Sequence, residues 1–438
     1  MASTFEPGRE EPLPRLEFEN DSSVANRILR SNGTASSSGP AGHPKPQLKR
    51  ITSMPARRLF LVPAIALGLL ACLPKMRAPT LVGWKLTLLA GEFGPLPGTV
   101  SLILAFAAAW SVRKPRIATF VACAVLAIAA ILFFKPAFQA ARIAAQLPAE
   151  MDSAFGPTMH EVPPFRFSGL LEKRGSKVPV GQHAYAHVGT TDELSLDFYR
   201  PSKSAGSRAT PCVVAIHGGG WDGGTRDQIP ALYHRLASRG YAVAAISYRL
   251  APRHPWRAQR SDVLAALAFL KREAAKFSID PKRFVLFGRS AGGQIASVVA
   301  YTANDPAIRG VAAFYAPHDM NFAWSHGRAD DVLNTFLLLR QYLGGTPQTV
   351  PANYESASAI LHVKPGITPP TLLVHGTIDT LVWRRQSERL AARLREGGVP
   401  CVFLELPWAT HAFDFSLRGP GGQLAAWALE EFLHSVTL

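Results

Sequence analysis

Three apolar runs without a single charge are crowded between Leu59 and Phe134, and they decide what the first third of the chain can become. Leu59–Leu73, Thr99–Val112 and Ile117–Phe134 are 15, 14 and 18 residues long. A helix needs about 20 apolar residues to cross a bilayer core, or somewhat fewer with Lys or Arg at its ends. Packed into a soluble chain, the three runs would expose more apolar surface than such a chain tolerates. Residues 51–147 therefore read as a transmembrane region of about three spans. Leu81–Ala90 lies between the first two, contains Lys85, and is too short to cross unaided. It is expected to be interfacial or re-entrant.

The net charge of +16 divides unevenly. Lys and Arg exceed Asp and Glu by three in residues 1–58, by six in 59–150 and by seven in the remainder. The densest excess flanks the apolar runs, where positive charge marks cytoplasmic loops. No basic stretch is interleaved with stacking aromatics, which excludes a nucleic-acid partner. Lys49, Arg50, Arg57 and Arg58 precede the first run, and Arg113, Lys114 and Arg116 separate the last two. With both groups in the cytoplasm, three crossings put the C-terminal domain on the far side of the membrane. Residues 1–50, including the Ser31–Pro40 stretch, have no apolar period and are expected to form a disordered polar tail.

From residue 182 short apolar runs alternate with helical stretches, the pattern of βαβ units and a mostly parallel sheet. Expected strands are Ala184–Val188, Leu194–Tyr199, Cys212–Ile216, Ala242–Ser247, Phe284–Phe287, Gly310–Phe314, Thr371–Val374 and Val402–Leu406. Helices are expected at about 227–239, 260–276, 291–303, 384–396 and 422–435. Residues 160–438 thus read as one α/β catalytic domain, self-sufficient in a chain starting near residue 150. The four cysteines have no ligand or framework spacing and read as free thiols.

Every chemical motif falls at the end of an expected strand, where sheets of this type carry their sites. Gly288-Arg289-Ser290-Ala291-Gly292 follows one strand and opens a helix. A sharp strand-to-helix turn projects the Ser290 hydroxyl from the sheet, and Gly288 and Gly292 permit the crowded backbone. His217-Gly218-Gly219-Gly220-Trp221 ends another strand. Its glycines let amides converge on a developing oxyanion, so the N–H groups of Gly219, Gly220 and Ala291 are the candidate donors. His217, so near those donors, suits loop-fixing better than proton transfer. Asp379 and His411 follow the last two strands, giving the order nucleophile, acid, base. A serine needs a neutral imidazole to take its proton and a carboxylate to orient that imidazole. Sequence order alone leaves Asp319 as an alternative acid.

His217–Trp221, the segment Ser247–Pro252 with His254 and Pro255, Gly288–Gly293, His375–Asp379 and His411–Phe413 together resemble the carboxylesterase/lipase group related to hormone-sensitive lipase and its bacterial esterase relatives. The resemblance covers roughly residues 180–435. It implies the α/β-hydrolase fold, preceded here by transmembrane helices. It also implies a serine ester hydrolase with Ser290 as nucleophile, Asp379 as acid, His411 as base, and Gly219, Gly220 and Ala291 as oxyanion donors. No cofactor or metal enters that scheme, and the partners are a small-molecule or lipid ester and the bilayer. The usual cap residues do not match, and residues 318–365, with an amphipathic helix near Val332–Leu343, are the expected cap. An acyltransferase or peptidase on the same scaffold, and a non-catalytic receptor or scaffold, are the competing readings.

Overall fold

The computed structural model describes residues 56–438 except 112–116, 158, 160, 173, 174, 176, 190, 191 and 203–208. The expected polar tail and the basic loop Arg113–Arg116 lie outside the described residues. Four helices come first: α1 (Ala56–Cys72), α2 (Leu81–Glu92), α3 (Pro95–Ser111) and α4 (Ile117–Phe155). Then follow β1 (Val180–Val188), β2 (Asp192–Tyr199), β3 (Thr210–Ile216), α5 (Pro230–Ser238), β4 (Ala242–Ile246), α6 (Ala258–Arg272), α7 (Ala274–Phe277) and β5 (Ile279–Arg289). The chain continues through α8 (Ala291–Thr302), β6 (Ile308–Phe314), α9 (Met320–His326), α10 (Thr335–Leu343), α11 (Pro351–Ser356), β7 (Thr371–Gly376), α12 (Arg385–Glu396), β8 (Cys401–Leu406) and α13 (Pro420–Thr437).

The eight strands form one sheet in the order β1-β2-β4-β3-β5-β6-β7-β8. β1 and β2 are antiparallel to their neighbours, and all pairings from β4 to β8 are parallel. Alternation sorts the strand residues into two cores. Cys212, Val214 and Ile216 of β3 face one way, with Val263 and Leu267 of α6 and Ile295 and Val299 of α8. Val213 and Ala215 face the other, with Leu232 and Leu236 of α5 and Leu424 and Leu429 of α13. Central strands are covered on both faces, which is why they read as continuous apolar runs. The insertion between β6 and β7 is helical, and α10 takes the place of the expected amphipathic helix.

Among the described residues one helix, α4, is long and apolar enough by itself to cross a membrane, and the bent pair α2–α3 is so only if taken as one span. α1 and α3 have 17 residues each, at the short edge of the range for a span of roughly 17–25. α3 leaves α2 at 79°. The expected boundary near residues 147–160 does not separate two bodies: residues 55–438 form one compact unit. The reason is α4, which does not stop at Phe134 but runs on through Pro136 and Pro148 to Phe155. Its second half buries Ala137, Ala140, Leu147 and Met151 in the core that α5 and α13 cover. The four residues recur at intervals of three, seven and four, one face of a helix. That stripe is a layer of the sheet's cover, contributed from before residue 160.

Met151 is fully buried. Met151→Ala should lower the unfolding free energy by about 2–5 kcal/mol, read by urea denaturation in detergent with tryptophan fluorescence. An unchanged midpoint would mean that α4 only leans on the sheet.

Candidate active site

Ser290 stands at the turn between β5 and α8 with φ +52° and ψ −122°. A non-glycine residue at positive φ stores strain of about 1–3 kcal/mol, which surrounding contacts must hold. Here the Ser290 amide donates to the Phe314 carbonyl at 2.9 Å, and the Ser290 carbonyl accepts from Gly293 and Gln294 at 3.0 and 3.1 Å. Gly292 lies so close to β3 that a Cβ would overlap the Ile216 carbonyl oxygen, which is the steric reason for glycine there. Gly288, the last residue but one of β5, lies against the backbone of Gly292. Ala291 opens α8, whose first amides have no intrahelical acceptor and carry the positive end of the helix dipole.

The glycine loop after β3 lies against this turn. Gly218 packs beside Ser290, and its amide donates to Gln228 Oε1 at 3.0 Å. Gly219 and Gly220 turn the chain at φ +126° and +63°. His217 stacks on Tyr248 with ring centroids 4.2 Å apart, and its carbonyl accepts from the Tyr248 hydroxyl at 3.0 Å. Burial pushes its imidazole down to about 4, so it is a neutral fixture of the loop. Trp221 stacks on Tyr342 of α10 at 4.1 Å and donates to Gln294 Oε1 at 2.9 Å. Tyr342 donates to the same oxygen at 2.8 Å. Gln294 of α8 therefore ties the glycine loop to the insertion.

Asp379 and His411 meet beyond β7 and β8. His411 Nδ1 lies 2.7 Å from Asp379 Oδ2. Asp379 Oδ1 accepts the amides of Leu381 and Val382 at 2.8 and 3.0 Å. His375 Nε2 lies 3.3 Å from Oδ2. Burial alone would raise the Asp379 carboxyl, but the charge of His411 and hydrogen bonds from both histidines hold it below its ordinary value. The alternative acid, Asp319, is engaged elsewhere: it caps α9 through the Phe322 amide at 2.9 Å and pairs with Arg389 at 2.9 Å.

Sequence reasoning missed what joins these loops. Arg289, next to Ser290, is buried and donates to three groups. They are Tyr315 Oη at 2.6 Å, Gln228 Oε1 at 2.9 Å and Asp414 Oδ1 at 2.7 Å. Burial works against its charge, and Asp414 together with Tyr315 and Tyr233 more than offsets that. Tyr315 also donates to Asp414, and its ring centroid is 4.4 Å from that of His411. A charged residue at the end of an apolar strand, with an acid three residues after the histidine, was the available signal. Among the described residues no group of three or more His, Cys, Asp or Glu could hold a metal ion.

A family model described as BD-FAE matches residues 196–394. Esterase LipQ of Mycobacterium tuberculosis is 30% identical over 304 residues, 64% of this chain and 70% of its own. Probable carboxylic ester hydrolase LipM of the same organism is 29% identical over 393 residues, 82% of this chain and 87% of its own. That coverage exceeds what residues 160–438 alone can supply. Thermogutta terrifontis esterase 2 phosphonylated by sarin superposes with a TM-score of 0.50 at 22% identity, over 61% of this chain and 97% of that one, a likeness of fold. With the strand order, the serine turn and the relatives in agreement, the chain belongs to the α/β-hydrolase carboxylesterase group represented by LipQ.

Proposed function

We propose that the protein is a membrane-anchored serine hydrolase of carboxylic esters. Ser290 is its nucleophile, His411 its base and Asp379 its acid. The observations that carry this reading are the 2.7 Å contact between His411 Nδ1 and Asp379 Oδ2 and, separately, a serine held at positive φ on the strand-to-helix turn. As Ser290 Oγ attacks the ester carbonyl, His411 Nε2 takes the hydroxyl proton and Asp379 stabilises the imidazolium. The carbonyl π pair moves to oxygen, where the amides of Gly219, Gly220 and Ala291 receive it. Each such donor is worth about 2.7–4 kcal/mol in comparable sites. Collapse expels the alcohol with the proton from His411, and water repeats the sequence on the acyl-enzyme. Residues 318–365 act as the cap, and Tyr342 on Trp221 couples it to the oxyanion loop.

The anchor is a bundle of α1, α3 and α4. Ala64 packs near Ala122 and Leu126, and Ala71 near Ala129 and Phe133, so α1 runs parallel to α4. Gly98 meets Phe134, whereas Cys123 donates to the Ala105 carbonyl, so α3 runs antiparallel. Val62, Leu69, Phe106, Trp110, Ile117 and Ile131 face outward and are each more than half exposed. Lys75, Lys135, Ile378 and Trp408 line one cavity of about 260 Å³, which supports α1 and the apolar half of α4 ending on the catalytic side. Three crossings with the N-terminal tail in the cytoplasm put Ser290 beyond the membrane, facing small or lipid esters held near the bilayer.

Ser290→Ala should abolish labelling by a serine-directed phosphonate and lower ester turnover on the order of 10⁴–10⁶-fold. Full labelling of the folded mutant would overturn the assignment. His411→Ala should cost nearly as much, with no further loss in the double mutant, because the pair acts as a unit. Asp379→Asn should lower kcat by about 10⁴-fold and Asp319→Asn should leave it unchanged; the reverse pattern would move the acid.

Glu396, two-thirds exposed on α12, suits the topology test. In a chain whose four cysteines are replaced, Glu396→Cys should react with an impermeant maleimide in intact cells. Reaction only after lysis would put the domain in the cytoplasm.

A further inference from the structure

We infer that residues Arg77–Glu92, outside the region of resemblance, are a positioning element for the acid and base. The inference rests on the assignment of Asp379 and His411 above. At the start of this segment the Ala78 amide donates to Thr380 Oγ1 at 3.1 Å. The Arg77 guanidinium sits 4.7 Å from the centre of the Trp383 ring. Both contacts fall on the loop that begins with Asp379. Further along, Trp84 Nε1 donates to the His411 carbonyl oxygen at 3.3 Å in a buried contact. At the end of α2, Glu92 accepts from Trp408 Nε1 at 3.1 Å and from the Gly421 amide at 2.9 Å. Trp408 and Gly421 flank the loop that carries His411.

One short segment therefore grips the acid loop once its strand has ended and the base loop before, at and after its histidine. The approach is close on both sides. A Cβ at Gly91 would lie 3.4 Å from the Trp408 carbonyl oxygen, and one at Gly419 would overlap the Glu92 carboxylate. Trp84, Thr87, Leu88 and Glu92 are buried on this face, while Val82, Leu86 and Leu89 are exposed on the opposite one.

Loops beyond strand ends are mobile unless something holds them. A misplacement of about 1 Å in a reacting group can cost a factor of about 10² in rate. Trp84 touches no reacting atom; it fixes the backbone of the residue that does.

The test uses the full chain in detergent, a short soluble ester, and active sites titrated with a phosphonate. Trp84→Phe keeps an aromatic ring and removes the N–H. Its kcat per titrated site should fall between about 10- and 100-fold with KM unchanged. A merely structural role would lower the melting temperature or the titrated fraction and leave kcat per site intact. His411→Ala, measured in parallel, separates the two readings. If it keeps its turnover, the base has been misassigned. If it loses turnover while Trp84→Phe keeps kcat per site within twofold, the positioning role is overturned. Should Trp84→Phe fail to fold, Thr380→Val, which removes the acceptor of the Ala78 amide, decides by the same criterion.

Discussion

The buried pair Arg289–Asp414 is the interaction on which the arrangement of the loops depends. Three chain segments that are distant in sequence share one guanidinium. They are the serine turn through Arg289 itself, the glycine loop through Gln228 and Gly218, and the histidine loop through Asp414. Two charges taken out of water together repay little net stability, but removing one strands the other at about 3–5 kcal/mol. The pair is held through Asp414 Oδ1, which accepts from both Arg289 and Tyr315, and that fixes where the loops sit. Tyr315, bonded to both members and packed on His411, carries that constraint to the imidazole.

Much of this was legible in the sequence. All eight strands were expected at the right places because central strands buried on both faces leave unmistakable apolar runs. The errors lie at the ends. β1 begins at Val180 rather than Ala184, where the sheet edge admits polar and exposed residues that carry no period. β5 begins at Ile279, well before Phe284, because Asp280, Lys282 and Arg283 disguise a strand. The serine, glycine and histidine motifs were visible since their chemistry demands particular residues at particular offsets. Arg289 was not, because its role depends on an acid 125 residues away.

In the N-terminal region the extent of α4 was hidden for a different reason. Hydropathy marks the end of an apolar run, not the end of a helix, and Lys135 closes the first while α4 continues through alanine-rich chain. The stripe Ala137, Ala140, Leu147 and Met151 was present in the sequence but has the weak hydrophobic contrast of small residues. α2 posed the opposite difficulty. Its length and Lys85 suited an interfacial segment, and nothing in its composition says that Trp84 and Glu92 close contacts spanning more than 300 residues of chain.

The continuity of α4 has a mechanical meaning. A catalytic domain joined to an anchor by a flexible linker samples every orientation within reach, and the linker's composition sets how far it roams. Here one helix runs from Ile117 to Phe155, with Pro136 and Pro148 inside it, and its second half is embedded in the sheet's cover. The angle between rod and sheet is set once, when the protein folds. In the anchored protein proposed above, the mouth of the site would then keep one height and bearing, and an ester would be presented along that line of approach rather than be sought out by a swinging domain.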